Sequence, residues 1–291
     1  MRPMKPDPAI RVQKLRIPTP HGSIPALLLS PKCAPVNATG VLWLHGGGYI
    51  AGMKEMIHMS RAVDLVKKYG AVVLSPGYRL ALQAPYPAAI DDCYASLLYL
   101  KANAAALGVR SDQLMVGGES AGGGLCAAVC IRARDEGTVN VAFQMPLYPM
   151  LDDRDTETSR DNHGRIWNTR RNHLAWRLYL RRADRAHLSP YAAPARLADF
   201  SGLPPAYAFV GDGEPFYAEA VRYFGLLRAA GVPAELDVYH TDMHAFDMMD
   251  PDAALSLQAA ECFNRHFADA QSRFLPRSLR TGGPVHDPRH L

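Results

Sequence analysis

The chain has 291 residues, 48% hydrophobic and 21% charged, the usage of an ordinary globular protein; collagen-like, low-complexity and wholly disordered classes are excluded. The net charge is +4, but residues 271–291 set Arg273, Arg277, Arg280 and Arg289 against Asp287, a local +3. The first 270 residues therefore sum to +1, and no nucleic-acid or membrane partner is read from that total.

In chain order, the N-terminus has no apolar h-region and no stretch of eighteen apolar residues occurs, so a soluble, cytoplasmic protein is expected. Two strand candidates, 12–17 and 25–30, are separated by Pro18, Pro20 and Gly22, which predicts an antiparallel hairpin at a sheet edge. Strands at 41–45 and 71–75 are apolar without alternation, as strands covered on both faces are. Apolar residues at three and four spacing predict helices over 57–68 and 88–103, the second opening after Pro87 with Asp91 and Asp92 in its first turns. A strand at 114–118, a helix rich in small residues at 120–135 and a strand at 141–145 follow.

About sixty residues then precede the next strand, 206–210. Of these, 152–167 is polar and turn-like and 170–182 helical, an insertion of the size that forms a lid or cap over an active site. A helix at 215–230 ending at Gly231, a strand at 234–239 and a helix at 251–269 complete the pattern, and the Pro, Arg and His content beyond 271 reads as a disordered tail. The expected fold class is α/β: an eight-stranded, mostly parallel sheet flanked by helices, in one domain over 1–270. A cap at about 150–203, helped by the short N-terminus, enters after the sixth strand. Cys33, Cys93, Cys126, Cys130 and Cys262 are odd in number and lack a CxxC pair, so they are expected to be reduced and mostly buried. Cys126 and Cys130 share a helix face as packing residues, and neither metal nor cofactor is expected.

Gly118-Glu119-Ser120-Ala121-Gly122 is a G-x-S-x-G pattern lying between a predicted strand and a predicted helix, the context of a nucleophile elbow in α/β-hydrolases. The glycines permit a sharp turn that lifts the serine hydroxyl above the sheet at a helix N-terminus. His45-Gly46-Gly47-Gly48 closes the third strand with the HGGG pattern whose backbone N–H groups build an oxyanion hole. A serine alcohol needs a base held by a carboxylate, in the chain order serine, acid, histidine. His244, between the last strand and the last helix, is the best base, with His240 the fallback. His58, His163, His173 and His187 are assigned to surface or capping roles. The loop after 206–210 offers two carboxylates, Asp212 and Glu214. Glu214 is favoured because it immediately precedes the proline opening the next helix, and Asp212 is the alternative acid or a loop brace. Asp237 and Asp247 suit strand-surface and helix-entry roles better.

With these motifs the chain resembles the hormone-sensitive-lipase-like branch of the α/β-hydrolases, family IV of the bacterial esterases, from about Arg11 to Asp269. HGGGY (45–49), GYRLALQAPYPAAIDD (77–92), GESAGG (118–123) and LPPAYAFVGDGEPFYAEA (203–220) carry the likeness. The resemblance implies Ser120 as nucleophile, His244 as base, and Gly47, Gly48 and the Ala121 N–H as oxyanion hole. Glu214 stands where the family usually has aspartate, and Leu82 and Gln83 replace the usual Pro-Glu of YRLAPE. A short- to medium-chain acyl ester is the implied substrate, with Tyr49, Ile50 and Phe216 as pocket residues and a homodimer through 234–239. An amidase or formamidase would use the same triad, and a non-catalytic binding protein on this fold would usually lack the histidine.

Overall fold

The computed structural model describes residues 4–273. Eight strands form one sheet: β1 (Ile10–Thr19), β2 (Gly22–Pro31), β3 (Ala38–Leu44), β4 (Val72–Pro76), β5 (Val109–Glu119), β6 (Val141–Leu147), β7 (Ala206–Gly211) and β8 (Ala234–Tyr239). Their order is β1-β2-β4-β3-β5-β6-β7-β8, with β1 and β2 an antiparallel edge hairpin registered Thr19 to Gly22. From β4 to β8 every neighbouring pair is parallel, so β2 is the strand that runs against the rest. All eight strands lie where the sequence pattern puts them, their ends differing by a few residues because fraying positions carry no periodic signal.

Both faces of the sheet are covered. Leu42, Leu44, Leu74 and Val116 point to one side, packed under α2 (Ala88–Ala102) and α3 (Ala121–Glu136). Val41, Trp43, Val73 and Met115 point to the other, under α1 (Ala62–Tyr69) and the last helix. That two-sided burial explains why β3 and β4 read as unbroken apolar runs. The segment between β6 and β7 carries α4 (Thr169–Tyr179), whose first turn is capped by Asn168 Oδ1 accepting from Arg171 N at 3.1 Å. After β7 come α5 (Tyr217–Ala229), then, beyond β8, α6 (Phe246–Met249) and α7 (Ala254–Arg273).

Two expectations need correction. The helix expected over 57–68 is interrupted: a 3-10 turn spans Lys54–Met59, Ser60 is extended, and α1 starts at Ala62. The Ser60 hydroxyl donates to Ile57 O and accepts from Ala62 N, offering the backbone an alternative to the helical ladder. The tail also begins later than expected, since residues 271–273 belong to α7. Gln271 is pinned by its own Nε2 donating to Thr39 Oγ1 at 2.9 Å and by its carbonyl accepting from Gln113 Nε2 at 2.7 Å. The remainder of the expected tail lies outside the described residues. The five cysteines are free; Cys93, Cys126 and Cys130 are buried, Cys262 half-buried and Cys33 exposed. Among the described residues no helix is long and apolar enough to cross a membrane.

Candidate active site

The carboxyl ends of β3, β5, β7 and β8 converge on one point. Ser120, between β5 and α3, has φ 57° and ψ −119°, a conformation that costs a non-glycine residue free energy and persists only where surroundings impose it. They do so here through three backbone bonds. Ser120 N donates to Leu147 O, and Ser120 O accepts from Gly124 N and Met150 N, all at 3.0 Å. Gly122 is required two residues later, because a Cβ there would lie 2.0 Å from Leu44 O.

Ser120 Oγ lies 2.8 Å from His244 Nε2, and His244 Nδ1 makes a very short contact with Glu214 Oε2. All three residues are buried, Glu214 with 0% exposure. Glu214 Oε1 accepts from Gly211 N at 3.2 Å, which fixes the carboxylate plane. A carboxylate at Nδ1 holds the ring proton there, so the Nε2 lone pair faces the serine hydroxyl, the tautomer a general base requires. Phe216 and Tyr148 hold the imidazole edge-on, with ring centroids 5.0 and 5.2 Å away.

The other candidates are placed elsewhere. Asp212 Oδ2 pairs with His240 Nδ1 at 2.9 Å and Asp212 Oδ1 accepts from Thr241 N, so Asp212 braces the loop beside β8. The His240 contact holds the Asp212 carboxyl below its ordinary range and raises the His240 imidazole in turn. Asp237 accepts from Tyr207 OH at 2.7 Å on the strand surface. Asp247, expected at a helix entry, is in α6 but fully buried. His163, His173 and His187 are exposed, facing Asp161, Asp155 and Asp184. His58, expected in a surface or capping role, is not at the surface: it is buried in the last turn of the 3-10 helix.

The 45–48 loop passes directly over the serine, since a Cβ on Gly46 would lie 3.3 Å from Ser120 Cβ. His45 stacks on Tyr78 with centroids 4.1 Å apart, its Nδ1 donates to Gly46 O, and Tyr78 OH donates to His45 O at 2.7 Å. Burial lowers the His45 pKa to about 4, so the ring is neutral and structural. The N–H groups of Gly47 and Gly48 donate to no acceptor among the described residues. Ala121 N, first in α3, has no intrahelical acceptor. The N–H groups of Gly47, Gly48 and Ala121 thus remain without an acceptor among the described residues.

Of the expected pocket residues, Tyr49 and Phe216 are fully buried and Ile50 is half-exposed. Tyr49 stacks on Tyr179 of α4 at 4.1 Å and donates to Met150 O, so it anchors the inserted segment to the loop that follows β3.

Several residues at the site were not singled out from sequence. Trp167, just before α4, covers Gly48 so closely that a Cβ on that glycine would fall 2.2 Å from its ring. Beneath the elbow, on the sheet's other face, Glu119 Oε1 accepts from Trp43 Nε1 at 2.8 Å. Arg61, 1% exposed, faces Asp247 at 3.1 Å, and Tyr148 OH donates to the same Asp247 at 2.9 Å. Burial raises the Glu119 pKa to about 8, with the Asp247 charge adding and Trp43 and Arg61 opposing. Burial raises Asp247 as well, outweighing Arg61. The signal for Glu119 was available in strand alternation, because a residue preceding an elbow serine must point to the opposite face. Trp167 and Arg61 carried no such signal.

Comparison with known proteins gives a consistent picture. Residues 41–248 match a family model described as alpha/beta hydrolase fold. The chain is 33% identical over 243 residues to "Esterase LipI" of Mycobacterium tuberculosis, covering 82% of this chain and 76% of that protein. It is 30% identical over 214 residues to "Ethyl acetate hydrolase" of Pseudomonas putida, covering 72% and 66%. Among solved structures, "Bacterial Heroin Esterase" superposes with a TM-score of 0.83 at 32% identity, over 92% of this chain and 84% of that one.

Proposed function

The chain belongs to the α/β-hydrolase fold family, in its hormone-sensitive-lipase-like branch, and on that premise we propose that Ser120, His244 and Glu214 are its catalytic triad. The protein is a carboxylic ester hydrolase. The observation that carries the triad assignment is the unbroken chain of contacts from Glu214 through His244 to Ser120.

In this reading Ser120 Oγ attacks the ester carbonyl while His244 Nε2 takes its proton. Glu214 orients the ring and stabilises the imidazolium. The N–H groups of Gly47, Gly48 and Ala121 receive the negative charge of the tetrahedral oxygen. His244 then gives the proton to the departing alcohol, and a water activated by the same nitrogen cleaves the acyl-enzyme.

Buried Tyr49 and Phe216 and half-buried Trp167 supply apolar surface around the proposed triad, which favours a short- to medium-chain acyl group. Residues 150–203 act as the cap: their Trp167 and Tyr179 pack on the oxyanion loop. The five free cysteines support a reducing, cytoplasmic setting. β8 ends the sheet, which favours a homodimer joined along that strand; light scattering decides that point.

The primary test is Ser120→Ala with fluorophosphonate labelling. The wild-type protein is expected to label and to hydrolyse p-nitrophenyl butyrate, and the variant to lose labelling and about four to six powers of ten in turnover. Near-native turnover in the variant would overturn the assignment.

A further inference from the structure

The near-neutral sum over the first 270 residues conceals one uneven segment. Residues 160–185 hold eight arginines against two aspartates, a local net charge of +6, which leaves the other 265 residues at −2. All eight arginines are exposed. The two aspartates do not neutralise them: Asp161 faces His163 at 3.1 Å and Asp184 faces His187 at 3.0 Å. Among the described residues none of the eight makes an ion pair. Arg160, Arg171 and Arg181 donate to backbone carbonyls instead, of Thr156, of Arg165 and Ile166, and of Ala81 respectively.

The geometry of α4 concentrates this charge outward. Asn172, Ala175, Trp176 and Tyr179 are buried against the body, which turns Arg170, Arg171, Leu174 and Arg177 to solvent around a depression of about 600 Å³. Leu174, 39% exposed, sits among these arginines. The segment's indole and phenol rings are turned inward, Trp176 and Tyr179 into the core and half-buried Trp167 onto Gly48, so no fully exposed indole or phenol ring is offered for stacking on a nucleic-acid base; the exposed His163 and His173 imidazoles each face an aspartate.

We propose that the cap face of residues 160–185 docks the protein peripherally on an anionic phospholipid surface. Unpaired guanidinium groups supply attraction to phosphate headgroups, and Leu174 supplies an apolar contact at the interface. The same segment packs on the oxyanion loop, so docking would bring the reaction centre close to esters dissolved in the bilayer. This surface is independent of the triad assignment: binding and hydrolysis are measured separately, and either can fail alone.

The experiment is vesicle flotation of the full chain with phosphatidylglycerol–phosphatidylcholine vesicles and with pure phosphatidylcholine vesicles, at low and high salt. The variant carries Arg170→Gln, Arg177→Gln, Arg182→Gln and Arg185→Gln, four side chains with no hydrogen bond to the described protein and no place in the catalytic machinery. Each surface arginine contributes about fivefold to partitioning on an anionic membrane, so the variant should bind several hundredfold more weakly. Hydrolysis of water-soluble p-nitrophenyl acetate should be unchanged. High salt should release the wild-type protein, because screening shortens the reach of exposed charges to a few ångströms, about 3 Å at 1 M. Absence of binding to anionic vesicles at low salt, equal binding to neutral vesicles, undiminished binding by the variant, or displacement by duplex DNA at matched phosphate would each overturn the proposal. Should the variant fold poorly, the lipid and salt comparisons on the wild-type chain decide alone.

Discussion

Replacing Glu214 by glutamine should cripple turnover through the ring proton of His244, and the surrounding bonds allow the loss to be worked out. Gly211 N donates to one carboxylate oxygen while His244 Nδ1 meets the other. If the amide oxygen of the substituted side chain keeps the Gly211 bond, its NH2 group points at Nδ1 and drives the ring proton to Nε2. His244 then cannot accept from Ser120. Flipping the amide restores the productive tautomer but sets the Gly211 N–H against an NH2 in a buried site, at a cost of about 1–3 kcal/mol. Either way the imidazolium loses a buried charge-assisted bond worth about 1.5–3 kcal/mol. The sum, about 2.5–6 kcal/mol, corresponds to a fall in kcat of about 10²–10⁴-fold, whose upper end equals the roughly 10⁴-fold cost of amidating the acid of a serine-protease triad. The control is Asp212→Asn, which weakens the pair with a fully exposed His240 while its amide oxygen can still accept from Thr241 N, and should change kcat less than about threefold. Steady-state hydrolysis of p-nitrophenyl butyrate, with matched thermal unfolding curves, reads both. A loss under tenfold for Glu214→Gln, or a larger loss for Asp212→Asn, would refute the reasoning.

Gly48→Ala should cost at least tenfold in activity and about 1–3 kcal/mol in stability, because the new methyl displaces Trp167 and the residue sits at φ 60°; kinetics and urea denaturation of one preparation test both. Glu119→Gln should flatten the pH dependence of stability. The folded-state pKa of about 8 exceeds the unfolded value, so the native state holds a proton that the unfolded chain releases. Stability should therefore fall by up to about 4–5 kcal/mol as pH rises from about 4.5 to 8, and the variant should lose that slope in urea titrations. Arg61→Ala should destabilise by about 3–5 kcal/mol at pH 8 by leaving Asp247 and Glu119 without their cation, and by less at pH 5, where both carboxyls are more protonated. An equal loss at both pH values would argue for packing rather than charge.

The strands were legible because each is a short apolar run bounded by turns. The triad motifs were legible because elbow geometry demands small residues at fixed spacing. Between Glu214 and Asp212 the sequence offered a preference for Glu214 from its place before Pro215; in the fold the two, two residues apart in one loop, pair with different histidines, a separation that local sequence does not display. Local rules also missed the break at Ser60, where one hydroxyl bonds in both directions. Averaging charge over 270 residues hid the arginine-rich cap, because an exposed cluster and a dispersed set give the same total. Arg61 could not be found from sequence, since its partner Asp247 lies 186 positions away.

The anchoring of α7 bears on how the chain is made. Phe263 meets Trp43 edge-on at 6.0 Å, and Gln271 reaches back to Thr39, so the last helix roofs a face of β3 laid down near the beginning. During synthesis that face stays open until almost the whole chain has emerged, an interval of roughly ten to fifty seconds at about 5–20 residues per second. Through that interval α1 alone is available to cover Val41, Trp43 and Val73. The newborn protein therefore depends on whatever guards apolar surface at the ribosome, and a chain released before α7 is complete would leave a sheet face open for aggregation rather than a weakened enzyme.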